Sequence, residues 1–232
     1  GVVLALLFAG VAIGARANQI IAGTAVTLGA VGLTGTLYRQ AYGTGGAGLD
    51  VPTLPAVAVP LLSGIPVIGP ALFDQPLPTY LAVVALPIVW WMLYRTRAGL
   101  ALRATGESSE MARAAGVRPR LVRTIATVVG GAFGGIAGAT LVLAQVGTFA
   151  ERMTAGRGYV AIAIVVLGRW HPLGVGIAAL LFGAATALQY VFQTLGLAAP
   201  YQLFLMLPYA LTLLALAGAV GRARAPADLG RD

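Results

Sequence analysis

The residues that could perform catalysis or bind a metal are few and widely separated in this chain. His171 is the single histidine and there is no cysteine, which excludes a two-histidine or thiolate metal site. Ser63 stands in the sequence Leu-Ser-Gly-Ile, and Ser108 and Ser109 lie in a polar region with no base in reach. A nucleophilic serine needs a base within hydrogen-bond distance. The sequence therefore predicts no catalytic residue, no metal site and no cofactor.

Residues 43–48, Gly-Thr-Gly-Gly-Ala-Gly, resemble a phosphate-binding loop only in their glycine content. They lack a Gly-Lys-Ser/Thr ending, a preceding strand and a following helix, so we interpret them as a flexible connection. No nucleotide-hydrolysis motif occurs elsewhere in the sequence. Any hydrolysis of ATP must therefore be performed by another chain.

Positive charge is concentrated in residues 95–123, which hold seven of the fifteen arginines. Long apolar segments lie on both sides of this region, so we interpret it as a cytoplasmic connection between two membrane helices. Good helix formers occupy residues 107–115, between Gly106 and Gly116. The pattern predicts a short helix with a glycine breaker at each end, a shape suited to docking on a cytoplasmic protein.

The composition is that of a membrane protein. Hydrophobic residues make up 59% of the 232 residues, charged residues 9%, and the mean hydropathy is +0.89. Soluble domains carry about 25% charged residues. We therefore predict an all-α, polytopic helical integral membrane protein. The net charge of +8 does not indicate nucleic-acid binding, because the arginines cluster at the ends of apolar segments, as topology signals do.

About seven apolar segments follow one another in what we treat as a single transmembrane domain, residues 1–232. They are residues 1–13, 20–37, 81–94, 124–146, 159–167, 173–195 and 201–219. The first and the fifth are shorter than the ~20 residues that a span needs. Residues 38–78 are a long outer connection in which prolines recur.

The distribution of arginine fixes the predicted orientation. With residues 95–123 inside, twelve arginines lie on the cytoplasmic side and three, Arg39, Arg152 and Arg157, lie outside. This ratio agrees with the positive-inside rule. The opposite orientation would reverse it.

Glycines spaced four residues apart predict one flat packing face on the segment 124–146. They are Gly130, Gly134 and Gly138, together with Gly131 and Gly135. A packing face of this kind brings two helix backbones close together in lipid.

Polar residues near the interior of the spans are candidates for a translocation path, although each could equally bond a neighbouring helix. They are Asn18, Gln19, Thr24, Thr27 and Gln145. No span holds an ionisable residue at mid-depth, which argues against a proton- or sodium-coupled carrier and against a voltage sensor. The energy source should then lie in another chain.

Four sequence blocks resemble one protein family across nearly the whole chain. They are residues 16–23, 103–117, 154–163 and 167–174, and the second and the last two are the most specific. These blocks are similar to the permease subunits of bacterial ATP-binding-cassette importers of the branched-chain amino acid, ribose and nucleoside group. The residues of these blocks most resemble the nucleoside and simple-sugar branch of the family.

The resemblance implies a role for residues 95–123 as a cytoplasmic coupling loop. In such permeases a Gly-Glu-x-x-x-x-Ala-Arg-x-x-Gly segment resembles the coupling helix that sits in a groove of the ATPase subunit. The matching residues are Gly106, Glu107, Ala112, Arg113, Ala114 and Gly116. The family also has further helices before the region where this chain begins, so we expect the sequence to be a fragment.

The resemblance further implies the assembly and the location. We expect an ATP-binding-cassette ATPase subunit, a second permease subunit and an external solute-binding protein as partners, in the bacterial plasma (inner) membrane. The expected solute is a nucleoside or a simple sugar. A branched-chain amino acid importer remains open, as does a self-contained channel or secondary carrier. An intramembrane enzyme has no supporting constellation of residues.

Overall fold

Helices dominate the part of the chain that the computed structural model describes, which is residues 1–43, 52–58, 60, 73–150, 152–194, 206, 210, 213 and 226–228. The helices are α1 (Val2–Ala9), α2 (Gln19–Tyr42), α3 (Leu77–Arg95), α4 (Arg97–Glu107), α5 (Ser109–Ala114), α6 (Pro119–Thr140), α7 (Arg157–Leu167) and α8 (Pro172–Thr194). Two of them continue into π-helical turns, α1 at Gly10–Gly14 and α6 at Leu141–Val146. Two short strands, β1 (Ala56–Ala58) and β2 (Asp74–Pro76), pair antiparallel.

Four helices among the described residues are long and apolar enough to cross a bilayer. They are Gln19–Tyr42, Leu77–Arg95, Pro119–Val146 and Pro172–Phe192, and the apolar helices Val2–Gly14 and Arg157–Leu167 are shorter. Many of their large apolar side chains are exposed, as expected where the neighbours are lipid or further chains. The all-α membrane fold is thus confirmed. The seventh segment, residues 201–219, lies almost entirely outside the described residues, so the count of seven is not tested.

Two spans begin earlier than hydropathy predicts. α3 starts at Leu77 rather than at residue 81, and α6 starts at Pro119 rather than at residue 124. Both helices have a proline in their first two positions, where its missing N–H costs no hydrogen bond. The first charged residues mark the limit of the apolar part of α6, but the helical backbone continues past them. Arg120 and Arg123 therefore lie on α6 itself and not in a connecting loop.

Only two of the five glycines of α6 lie against a neighbouring helix among the described residues, so one packing face formed by all five stays a prediction. A Cβ on Gly131 would overlap Ala5 of α1, and a Cβ on Gly135 would lie 3.3 Å from Gly1 Cα. No atom of a neighbouring element lies within 4 Å of the same position on Gly130, Gly134 or Gly138 among the described residues. Only the row at 131 and 135 packs α6 against α1.

The outer connection is shorter than predicted and partly ordered by hydrogen bonds. α2 continues to Tyr42, and β2 begins at Asp74. Tyr80 Oη donates to Val57 O at 2.8 Å and accepts from Gln75 N at 3.1 Å, which ties both strands to α3. The glycine-rich residues 44–48, Ser63 and the arginines after residue 219 lie outside the described residues.

The two glycine rows predict different effects of the same substitution. Gly131→Ala should lower the unfolding temperature of the detergent-solubilised chain, because the added methyl overlaps Ala5 and overpacking costs about 1–3 kcal/mol. Gly134→Ala is the matched control and should leave that temperature unchanged or raise it, since the helix propensity of alanine is higher. Thermal unfolding followed by size-exclusion chromatography would measure both. Equal unfolding temperatures would contradict the asymmetric packing.

Candidate coupling surface

The region predicted as a loop with one short helix contains two helices in sequence, α4 and α5. Thr96 caps the first of them, because its hydroxyl oxygen accepts a hydrogen bond from Gly99 N at 3.1 Å. Ser108 caps the second by accepting from Met111 N at 3.3 Å. Both capping residues have extended backbones, which is the conformation expected just before a helix.

Gly106 does not start the short helix, and this expectation is wrong. Gly106 lies inside α4 and Glu107 is the last residue of that helix. The short helix begins two residues later, at Ser109. The Ser108 side chain bonds to a backbone N–H of the next turn and thereby sets the boundary, which outweighs the weak helix propensity of glycine.

Gly116 does end the short helix, as the sequence predicts. Its φ of +83° is in the left-handed region, which glycine enters without steric cost. The Gly116 N–H donates to Arg113 O and the Val117 N–H donates to Ala112 O, both at 3.0 Å. The chain then turns into α6 at Pro119. α5 is therefore a six-residue helix with a change of direction at each end.

The side chains of α5 divide into a buried position and an exposed surface. Ala112 is 2% exposed, where α5 packs on α4 and α6. Glu110, Met111 and Arg113 are exposed, and Met111 is 76% exposed. Ala114 and Glu107 are exposed beside them. A flexible apolar side chain surrounded by charges of both signs is typical of a docking surface. We call Glu107, Glu110, Met111 and Arg113 the coupling surface.

Ring contacts connect α4 to the membrane helices. The Arg103 guanidinium carbon lies 4.7 Å from the centroid of the Tyr94 ring, within the range of a cation–π interaction. The Tyr94 ring lies 5.2 Å from the His171 ring, in the turn between α7 and α8. In that turn Arg169 and Trp170 have φ values of +57° and +59°, which are uncommon outside glycine. These contacts connect α4 to α3 and to the turn that precedes α8.

A family comparison decides what kind of protein carries this arrangement. Residues 1–216 match the model of the family described as the branched-chain amino acid transport system permease component. The chain belongs to this family. It is therefore an integral membrane permease component and not itself an enzyme.

Individual relatives support the assignment of the permease. It is 38% identical over 202 residues to the putative glucose ABC transporter permease protein TsgC13 of Haloferax volcanii, covering 85% of this chain and 60% of the relative. It is 34% identical to the guanosine ABC transporter permease protein NupQ of Bacillus subtilis, covering 97% and 72%. It is 35% identical to the nucleoside ABC transporter permease protein NupC of Lactococcus lactis, again covering 97% and 72%. No solved structure matches the chain.

The predicted path residues of the permease do not come together. Asn18 caps α2 by accepting from Ile20 N at 2.9 Å, and Gln19 is the first residue of that helix. Gln145 accepts from Arg157 Nη1 at 3.3 Å near the other end, where α6 stops. A 24-residue helix such as α2 is about 36 Å long, so its first turn is remote from the end that carries Tyr42. The side chain of Tyr38, close to that end, contacts Phe149 just beyond Gln145.

The hydroxyl groups of the predicted path also have local partners. Thr24 Oγ1 donates to Ile21 O at 2.9 Å, and Thr27 Oγ1 donates to Gly23 O at 2.8 Å. Both threonines are exposed on α2. Their polar groups are therefore satisfied within one helix even in an apolar environment. A role for these residues in the path stays a prediction.

Sequence reasoning missed Gln189 on α8. It is 8% exposed. It continues a buried row on α8 formed by Ala178, Phe182 and Ala185. The spacing of this row is helical, so a periodicity count over α8 could have identified Gln189 as a polar residue on the buried face. A buried polar side chain inside a membrane span is a functional-site candidate.

The cap on α5 gives a local prediction. Ser108→Ala should speed hydrogen exchange of the Met111 amide about fivefold, because loss of a serine cap costs about 1 kcal/mol. Hydrogen exchange read by mass spectrometry would measure the change. Ser109→Ala is the matched control, since it keeps the Ser108 cap and the backbone N–H of residue 109. An equal effect of both substitutions would contradict the assigned cap.

Proposed function

We propose that this permease is the membrane-spanning subunit of an ATP-driven importer, and that its coupling surface receives the motion of a separate ATPase subunit. The observation that carries the proposal is the exposure of Met111 at 76%, between charged side chains on a helix that the chain holds at both ends. Apolar anchors surrounded by a polar rim account for most of the affinity in protein interfaces.

The absence of charge within the spans supports an external energy source. Arg39 lies in the last turn of α2, Arg95 ends α3, and the arginines of α6 lie in its first two turns. α8 carries no Asp, Glu, Lys, Arg or His. Ion-coupled carriers use ionisable groups within the membrane. A channel or secondary carrier is therefore the weaker reading of these helices.

The exposed apolar side chains of α3 could be covered by a second permease chain. α3 carries no buried residue, and its side chains Leu81, Val84, Ile88 and Trp91 are all more than half exposed. The path would then form between two permease chains, with the solute-binding protein on the outer side and the ATPase on the cytoplasmic side. The arginine-rich residues 95–123 support this assignment of the cytoplasmic side, and the membrane we propose is a bacterial plasma membrane.

The solute we propose is a nucleoside or a simple sugar. The three relatives described above carry names with glucose, guanosine and nucleoside, and two of them align with 97% of this chain. A branched-chain amino acid is the second candidate, because the family description names that solute class. The chain covers 60% of the first relative, and residues outside the aligned part could contribute to the path.

The coupling role predicts the effect of removing its charges. Replacing Glu107 and Arg113 together by alanine should uncouple solute uptake from ATP hydrolysis while leaving the permease in the membrane, because both side chains are exposed and would fix the register of docking. The measurement is the ratio of ATP hydrolysed to solute imported, in proteoliposomes containing the complete transporter. Unchanged uptake would count against the proposal.

Met111 supplies the control for that experiment. Met111→Leu conserves the apolar volume and leaves every charge in place, so the same ratio should equal that of the unaltered transporter. Comparable loss of coupling in Met111→Leu and in the double alanine variant would mean that any change in α5 disrupts the assembly.

The solute class can be tested separately. Proteoliposomes that contain the complete transporter and its solute-binding protein should import labelled guanosine or glucose in the presence of ATP, and should not import leucine. Uptake is measured by filtration. Import of leucine alone would establish the second candidate, and import by the isolated permease without ATP would establish a channel or carrier.

A further inference from the structure

One carboxylate near the end of the sequence reaches three separate places in the cytoplasmic region. Asp228 Oδ2 accepts a hydrogen bond from the Ser109 N–H at 2.9 Å, across 119 residues of sequence. The same oxygen forms an ion pair with Arg123 Nη2 at 3.1 Å. The Asp228 N–H donates to Gly106 O at 2.9 Å. Residue 228 therefore contacts the end of α4, the start of α5 and the second turn of α6.

The contact is well shielded from solvent. The Asp228 side chain is 13% exposed and the Arg123 side chain is 27% exposed. Pro226 lies beside the same corner, with its Cβ 3.5 Å from where a Cβ on Gly106 would stand. Charge-assisted hydrogen bonds are stronger than neutral ones, and their strength increases as solvent is excluded. Residues 226–228 thus form a tie, which we call the C-terminal strap.

The strap acts at the junction between α4 and α5. α5 is six residues long, with the extended Ser108 before it and the left-handed Gly116 after it. A force applied to so short a helix can be absorbed by rotation at the two junctions. The Asp228 carboxylate restrains one junction directly and connects it to α6 through Arg123. A displacement of α5 is then passed to α6.

We propose that Asp228 is a positioning residue for coupling. It holds the junction of α4 and α5 against α6 when the ATPase subunit displaces the coupling surface. This inference rests on the proposed function, since it assigns Asp228 a role in the transfer of motion from the ATPase subunit. Asp228 does not belong to the coupling surface itself. Its effect is on the transfer of motion and not on attachment of the ATPase.

The proposal separates the efficiency of coupling from assembly. In the complete transporter, Asp228→Ala should raise the ATP hydrolysed per solute imported about fivefold or more, within the usual range of coupling between sites. The amount of ATPase subunit that co-purifies with the permease should stay the same. Asp228→Asn and Arg123→Gln should show smaller and mutually similar increases, because both remove the ion pair and leave an oxygen for the Ser109 N–H.

Two further measurements distinguish a loss of coupling from misfolding of the variant. Hydrogen exchange of the Ser109 amide should accelerate in Asp228→Ala and change little in Arg123→Gln, since the former alone removes the acceptor of that N–H. Asp74→Asn, which alters an exposed carboxylate in β2, should leave the ratio unchanged. If Asp228→Ala is not recovered from membranes, Asp228→Asn and Arg123→Gln still decide the outcome.

The outcomes distinguish this inference from the proposed function. A normal ratio in Asp228→Ala, together with uncoupling in the Glu107 and Arg113 double variant, overturns the positioning role and leaves the proposed function in place. Normal ratios in both overturn the proposed function. Loss of co-purifying ATPase in Asp228→Ala, with the permease still folded, would make Asp228 a docking residue and overturn the inference as stated.

Discussion

Backbone hydrogen bonding in the absence of water is the constraint on which this structure depends. Within hydrocarbon every N–H and C=O must be satisfied by the chain itself, and long helices achieve this. Even the hydroxyls of Thr24 and Thr27 donate back into their own helix. Irregular backbone is concentrated at the helix ends, as at Gly116 and at the turn of Arg169 and Trp170. The backbone groups of the permease that can engage partners are therefore located at these ends.

At the predicted cytoplasmic end, α4, α5 and the first turns of α6 form a compact corner. Capping by Ser108 allows α5 to start directly after α4, and the left-handed Gly116 directs the chain back into α6. The charged groups of this corner have two different roles in the proposed mechanism. Exposed ones such as Glu110 face a partner, whereas Arg123 is used internally by Asp228. The same residue types thus serve attachment or internal rigidity according to their burial.

Packing then determines how far a displacement of the corner could extend. α6 lies against α1 through Gly131 and Gly135, where the backbones approach closely. α4 contacts the Tyr94 ring of α3, and that ring contacts His171 at the start of α8. Close-packed elements transmit movement because they lack space to absorb it. In the proposed mechanism, motion received at α5 has two routes into the membrane helices, one through α6 and one through α4.

Composition and local pattern determined the helical membrane fold of this permease, and they predict its orientation and the position of the cytoplasmic region. These properties depend on hydropathy, arginine counts and short motifs, which are local in the sequence. Local signals also found Gly116 as a helix end, but they misplaced the start of α5, because a serine cap competes with a nearby glycine. They also could not tell which of the α6 glycines meet a neighbouring helix, since spacing alone does not identify the neighbour.

Only the tertiary structure decided which side chains meet. The contact between Asp228 and Ser109 joins residues 119 positions apart, and no periodicity relates them. The same holds for Gly131 against Ala5, and for the burial of Gln189 on α8. These features arise from the relative placement of helices, which is set by packing across the whole chain rather than by any one segment.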